Sequence, residues 1–226
     1  PILIDPYLSD SVGRSDPRFS RLYPAPVDPG ELHGDIYIVT HDHLDHLDPE
    51  TIAGYRHKDS TKFIAPRFAA KKLKTLGIPA ENVFAVDAGE TAELDGVSVT
   101  GVFALGTSPD ALDTTGYMVR FPNGKTVYHS SDTAYCKLLT DACPHADVLL
   151  VCINGKCGNL NIDEAIELTK AVDPDFVIPN HYDVMALNSE DPEAFRYFCE
   201  EQGIADKCRI LKVLDEFQRS EEHTSE

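Results

Sequence analysis

Long apolar runs are missing from this chain. Val148-Leu149-Leu150-Val151 is among the longest, whereas a bilayer needs about 20 consecutive apolar residues, so a membrane span is excluded. A basic leader is missing as well. Pro1-Ile2-Leu3-Ile4-Asp5 has neither the positive n-region nor the small-residue cleavage site of a secretory signal. Positive charge is scarce. Lys and Arg number 20 against 38 Asp and Glu, a net charge of −18, and such a field repels polyanions and offers few counterion-releasing contacts. A long nucleic acid is therefore excluded as a partner, whereas a small anion held by a local group of arginines is not. Cysteine is too thin for a disulfide scaffold, with six residues (136, 143, 152, 157, 199 and 208) in 226. Without an export signal, the expected setting is the cytoplasm with reduced thiols. What is plentiful is core material, since 42% of the residues are hydrophobic. At about 150 residues per domain, the length suggests one or two domains.

Short apolar runs alternate with helical patterns, the signature of a layered α/β domain. Strands are expected at 2–4, 36–40, 62–65, 82–86, 97–103, 117–121, 126–130, 148–152 and 176–179. Phe121-Pro122-Asn123-Gly124-Lys125 is a hairpin connection in which Gly124 can take positive φ. Helices are expected at 66–76, 161–172 and 191–202. The first carries Phe68, Leu73 and Leu76 between lysines and stops at Gly77. The second opens on Asn161 with Glu164 three residues on, close to a capping box. The third opens on Asp191-Pro192 and turns Phe195, Phe198 and Cys199 to the core. Residues 9–32, rich in Pro, Arg, Asp and Gly, read as a long surface loop of the kind that often carries function. A strand opening at residue 1 reads as the remnant of a sheet whose earlier strands are missing. The polar, aperiodic stretch 219–226 is set aside as a non-native or disordered tail, leaving one domain over 1–218.

The informative segment is Thr40-His41-Asp42-His43-Leu44-Asp45-His46, directly after an apolar strand. Three histidines and two aspartates within six residues are costly to bury without a compensating cation. They lie at the carboxyl edge of a strand, where sites of α/β proteins form. His41 and His43, two residues apart, project to one side of an extended segment. Asp45 and His46 begin the turn into Asp48-Pro49-Glu50, a helix start. Imidazole and carboxylate donors suit Zn²⁺, with Mn²⁺ and Fe²⁺ left open, and one or two divalent ions are expected.

On these residues the chain resembles the metallo-β-lactamase superfamily, whose hallmark is His-x-His-x-Asp-His after a strand. The resemblance extends to Ile2-Leu3-Ile4-Asp5, to Tyr128-His129-Ser130-Ser131-Asp132 and to Val177-Ile178-Pro179-Asn180-His181. It implies an α/β fold, an αββα sandwich of two mixed β-sheets flanked by helices. It further implies that His41 and His43 hold one metal ion and that Asp45, His46 and His181 hold a second, with Asp132 between them. Asp45 and His46 then carry the catalysis, Asp45 orienting a water whose pKa a divalent ion lowers toward about 7; helix capping is the other reading of Asp45. Asp5 is expected to orient the metal loop without binding. His129, three residues before Asp132 on a strand, is expected to face away as a packed or supporting histidine. One position departs from the pattern: Gly106 stands where the family has a further His or Asp, with Asp110 and Asp113 as substitutes. If neither reaches, a single-ion site follows.

Asn154-Gly155-Lys156, Gly158-Asn159-Leu160-Asn161 and Pro179-Asn180-His181-Tyr182-Asp183 resemble the narrower L-ascorbate-6-phosphate lactonase branch. The function this implies is a metal-dependent lactonase acting on a (phosphorylated) sugar-acid lactone. Arg14, Arg18 and Arg21, with Tyr23 close by, either offer guanidinium groups to the phosphate or balance Asp10 and Asp16 in a solvated loop. Asn154 and Lys156 are open to substrate contact or to turn chemistry, and Tyr182 adjoins the last histidine as a further substrate candidate. Cys152 and Cys157 are read as buried or loop thiols. Rival readings are a phosphodiesterase or nuclease-type hydrolase of the same fold and a catalytically silent binding protein; a homo-oligomer is left open.

Overall fold

Short apolar strands build the first sheet, the middle two buried and the outer two partly exposed. The computed structural model describes residues 1–109, 111 and 113–218. In it β1 (Ile2–Ile4), β2 (Ile36–Ile38), β3 (Lys62–Ala65) and β4 (Val83–Ala85) lie side by side, every pair parallel. Parallel neighbours require crossovers. These are supplied by the segment containing α1 (Ser11–Ser15), by α2 (Pro49–Gly54) and by α3 (Arg67–Thr75). Where the resemblance implies two mixed sheets, this one is parallel throughout, because each connection makes such a crossover. The period of two decides what each face meets. Ile36 and Ile38 turn toward the second sheet and join Val99, Tyr117 and Val119, while Tyr37 turns outward to Leu47, Ile52 and Leu73 beneath the helices.

The second sheet is mixed. β5 (Thr91–Leu94), β6 (Val97–Phe103), β7 (Thr115–Arg120) and β8 (Thr126–His129) form an antiparallel meander. β9 (Val148–Cys152) and β10 (Phe176–Asn180) then continue parallel to β8. Outside them, α4 (Lys137–Asp141), α5 (Ile162–Val172) and α6 (Pro192–Glu201) bury Leu139, Leu168, Phe195 and Cys199 against Tyr128, Leu149, Val151 and Val177. The layering is helix, sheet, sheet, helix, as expected. No helix among the described residues is long and apolar enough to cross a membrane.

Helix signals in the sequence act as their chemistry demands. Asn161 and Glu164 form a full capping box, each side chain accepting the other's backbone N–H at 3.0 Å. One aromatic position, Phe198, differs from expectation. Phe68 is 59% exposed and Phe198 is 38% exposed. The buried face of α3 is Ala69, Ala70 and Leu73, and that of α6 is Phe195 and Cys199. The expected strands are present to within two residues at their ends, and Gly124 takes φ +80° in the β7–β8 hairpin. β5 was not expected, since Thr-Ala-Glu-Leu is poor in β-formers. The clue is Asp95-Gly96, with φ of 50° and 83°, a two-residue turn whose twist matches a hairpin.

Candidate metal centre

Carboxyl ends of β1, β2, β8 and β10 converge on one point. Three of the chain exits there pass through a left-handed residue: Asp5 (φ 43°), Ser131 (φ 63°) and His181 (φ 62°). For a non-glycine residue that conformation costs roughly 1–2 kcal/mol, and such strain gathers at functional sites. Beyond β2, the N–H groups of His46 and Leu47 both donate to the His43 carbonyl, at 3.1 and 2.7 Å. The resulting tight turn places His41, Asp45 and His46 together.

Two overlapping donor sets result. In one, His41, His46 and Asp132 each offer an atom within 4.8 Å of the others; in the second, Asp45, His46 and His181 do the same. Asp132 spans both, with Oδ2 3.5 Å from His46 Nε2 and Oδ1 3.3 Å from His181 Nε2. Asp45 Oδ2 lies 3.7 Å from His46 Nε2 and 3.6 Å from His181 Nε2. His43 Nδ1 sits 3.1 Å from His41 Nε2, while His43 Nε2 meets Ser108 Oγ at 3.1 Å. The resemblance pairs His41 with His43 at one ion; the closest sets of three run instead through His46.

Asp5 braces this loop. Its Oδ1 accepts the Thr40 N–H (2.8 Å), and its Oδ2 accepts the Thr40 hydroxyl (2.6 Å) and meets His46 Nδ1 (2.7 Å). A carboxylate on Nδ1 keeps one His46 proton there, so Nε2 is the nitrogen left for a positive charge, a second proton in metal-free protein or a metal ion in its place. That Nε2 is buried with no hydrogen-bond partner among the described residues, and it faces the carboxylates of Asp45 and Asp132. Carboxylates turned on one nitrogen call for a positive charge among them, which protons on His46 and His181 meet in metal-free protein and a divalent cation would meet in their place. The residues fit such a cation, His41, Asp45, His46, Asp132 and His181 being those that could hold it. Asn159 steadies the arrangement by donating Nδ2–H to Asp132 Oδ2 at 2.7 Å.

The electrostatics follow. Burial disfavours the charged form of each group, yet the carboxylates of Asp132, Asp45 and Asp5 outweigh it and push His46 well above the ordinary histidine range. Burial is likewise overcome at His181, which Asp132 pushes up to about 10. In return, His181 and His46 hold Asp132 well below the usual carboxylate range against the same burial. Asp45 is also lowered, burial being outweighed by His46 and His181. At His41 burial wins, reinforced by His46, and brings the ring down to about 3. His41 therefore stays neutral, with a lone pair to give.

Several expectations change here. The carboxylate that caps α2 is Asp48, which accepts the Glu50 N–H at 3.2 Å; Asp45 is turned to His46 and His181 instead. His129 lines the same cleft as Asp132 rather than facing away, because β8 ends at His129 and left-handed Ser131 breaks the alternation. Ser131 N–H donates to His129 Nδ1 at 3.0 Å, so a neutral ring carries its proton on Nε2. The Asn180 amide sits 3.0 Å from that nitrogen while its Oδ1 lacks a partner. Hydrogen-bond chemistry thus assigns the Asn180 oxygen to the His129 side. Asp113 accepts the Phe68 N–H at 2.7 Å at the start of α3, an engagement that explains it without a metal; Asp110 lies outside the described residues, as does 219–226.

The donor sets open into a cleft of about 290 Å³ lined also by Ile4, Leu8, Pro26, Val184 and Met185. Of the three candidate arginines, Arg21 lines it. Arg14 is paired with Glu50, and Arg18 with Asp16 at 2.6 Å. Asn154 is buried and donates to Asn188 Oδ1 (2.7 Å), and it is Asn188 that lines the cleft. Tyr182 packs into the outer core and donates its hydroxyl to the Leu211 carbonyl at 2.9 Å, so it does not face substrate. Lys156 lies 3.5 Å from Glu190 in the surface turn. Cys152 is buried and Cys157 exposed, both free. Sequence reasoning missed Thr40, Ser108, Asn159, Asn180 and Asn188, polar residues whose signal is their adjacency to a ligand-bearing strand end.

Fold and donor set together define an αββα protein built around a metal-binding cluster. The sequence pattern of the beta-lactamase superfamily domain matches residues 1–182, and the chain belongs to that superfamily. Within it, a UPF0173 metal-dependent hydrolase of Thermoplasma acidophilum is 30% identical over 203 residues, covering 86% of this chain and 81% of its own. One of Methanosarcina mazei is 29% identical over 205 residues with the same coverage of 86% and 81%. In fold, the chain is similar to Igni18, a metallo hydrolase from Ignicoccus hospitalis, at a TM-score of 0.71 and 24% identity over 93% of this chain and 87% of that one.

Proposed function

We propose that this chain is a metal-dependent hydrolase that opens a small lactone, in the form the sequence resemblance suggests a phosphorylated sugar-acid lactone. The observation that carries the reading is the buried His46 Nε2, unpartnered and facing Asp45 and Asp132 at the floor of the cleft. A divalent cation in that place supplies Lewis acidity, polarising a carbonyl and acidifying water.

The chain's own residues do the rest. Asp45, kept ionised by His46 and His181 despite its burial, is an acceptor at neutral pH and orients the attacking water. Asp5 and Asn159 hold His46 and Asp132 in register, so little rearrangement is needed as charge develops. A cleft of about 290 Å³ lies at the small end of ligand sites and suits a single ring with a short arm better than a polymer. Its apolar wall of Ile4, Leu8, Pro26, Val184 and Met185 favours a substrate with few hydroxyls beyond the ring.

The test is a panel of sugar-acid lactones and small phosphodiesters given to protein whose metal content has been measured. Hydrolysis of lactones by protein holding at least one ion per chain is the expected result. Turnover of diesters alone would move the assignment to a phosphodiesterase, and purified protein that binds less than one ion and turns over nothing would make it a binding protein.

A further inference from the structure

Among the described residues lining the cleft, Arg21 is the one Lys or Arg. Its guanidinium is firmly seated. Nε–H donates to the Tyr23 carbonyl (3.2 Å) and Nη1–H to the Tyr7 carbonyl (2.7 Å), and the group lies over the rings of Tyr7 (5.0 Å) and Tyr23 (5.5 Å). The backbone is seated too. Arg21 N–H donates to Asp10 Oδ1 at 3.0 Å, residue 21 forms an antiparallel bridge with Met185, and Leu22 N–H donates to the Val184 carbonyl at 2.9 Å. Val184 and Met185 follow His181 and line the same cleft. Arginine and metal-centre loop therefore form one wall.

What this arginine lacks among the described residues is a counter-ion. Arg14 and Arg18 are each taken up by a carboxylate, but no carboxylate among the described residues lies within ion-pair distance of Arg21. Its Nη2 has no hydrogen-bond partner among them either. In a chain with 38 acidic residues, a seated, half-buried cation beside an apolar wall, with no carboxylate among the described residues to neutralise it, is only partly compensated by two carbonyls and two rings. It is favourable once an oxyanion arrives, because guanidinium makes strong charge-assisted bonds to carboxylate and phosphate oxygens.

We propose that Arg21 binds an oxyanion, carboxylate or phosphate, on the arm of the substrate, with the ring at the histidine and aspartate end and the link of the arm against Leu8, Val184 and Met185. This rests on the hydrolase reading above and narrows it to acids. Arg21 acts as a specificity residue, reading the arm and leaving the chemistry of the ring to Asp45 and its neighbours.

The test uses metal-loaded protein and three γ-lactones that differ only in a carboxymethyl, a phosphonomethyl or an uncharged carboxamidomethyl arm. The wild type should prefer one or both anionic arms by about tenfold to a hundredfold in kcat/KM, as expected for a charge-assisted hydrogen bond. Whichever arm is favoured tells carboxylate from phosphate. Arg21→Gln should erase the preference while changing the uncharged lactone by less than about threefold, Arg21→Lys should keep part of it, and Arg14→Gln should leave it intact. No preference in the wild type, or an equal loss on all three lactones in Arg21→Gln, overturns the assignment. A second measurement is independent of turnover: cyclopentanones with the same arms should raise the melting temperature of the wild type through their anionic members, and lose that effect in Arg21→Gln. Anionic ketones that stabilise the variant as well as the wild type also overturn it. An Arg21-dependent shift with no lactone hydrolysed leaves the anion site standing and sinks the lactonase reading instead.

Discussion

Exchanging Asp5 for asparagine changes almost no volume and yet should cripple the metal centre. Asp5 accepts three hydrogen bonds, from Thr40 N–H, from the Thr40 hydroxyl and from His46 Nδ1–H, at 2.6–2.8 Å. Asparagine has one acceptor oxygen and an amide that only donates. If its oxygen faces Thr40 N–H, the amide opposes His46 Nδ1–H; if it is reversed, the amide opposes Thr40 N–H. In the first arrangement His46 relieves the clash by moving its proton to Nε2, which then has no lone pair for a cation. Loss of a group that orients a metal-binding histidine typically costs 10–100-fold in affinity, about 1.4–2.7 kcal/mol. Zn²⁺ affinity measured by competition with a chromophoric chelator should show that loss in Asp5→Asn. Asp5→Ala should in addition destabilise the fold, because buried donors are left unmade at about 1–3 kcal/mol each. Asp5→Asn protein that is folded and binds Zn²⁺ within about twofold of wild type would refute the reasoning, since His46 would then not depend on Asp5 for its tautomer.

Further expectations concern protons, a cap and a close contact. In metal-free protein His181 is raised from 6.5 to about 10, so the stability it contributes is complete below pH 6.5 and is lost as the pH rises through 10. The melting temperature of metal-free protein should therefore fall across that window, and the fall should shrink when a divalent ion replaces the proton. Because protonated His46 and His181 compete with the ion, ion uptake should release protons and tighten with pH; calorimetry in two buffers of different ionisation enthalpy reads the release, and equal heats would contradict it. Asp113→Ala removes the acceptor for Phe68 N–H and should cost about 1 kcal/mol in denaturant unfolding with metal content unchanged; a lost ion would make Asp113 a ligand. Gly101→Ala would set a methyl 2.3 Å from the Asp87 carbonyl oxygen, an overpacking worth about 1–3 kcal/mol, and an unchanged melting temperature would show that the β4–β5 connection yields freely.

Much of the layering was legible because it is written locally. Ile-Leu-Ile before Asp5, Ile-Tyr-Ile before the histidine loop and Val-Leu-Leu-Val-Cys at β9 are too short and too apolar for anything but strands. The capping box at Asn161 and the Asp191-Pro192 start mark helices from within a few residues. β5 was not legible from propensity, and the exposure of Phe68 and Phe198 was not legible from helical period, since each depends on what the neighbouring sheet leaves room for.

The amino-acid order alone settled which strand ends carry imidazoles and carboxylates, because dense polar ligands directly after an apolar strand have no other inexpensive home than the edge of a sheet. It could not settle which of them meet. That His46 joins both donor sets, that Asp48 and not Asp45 caps α2, that His129 turns into the cleft and that Arg21, rather than Arg14 or Arg18, stands there without a counter-ion among the described residues all depend on distances between segments far apart in the chain. Charge and hydrogen-bond energies change steeply over a few ångströms, and only the tertiary packing fixes those ångströms.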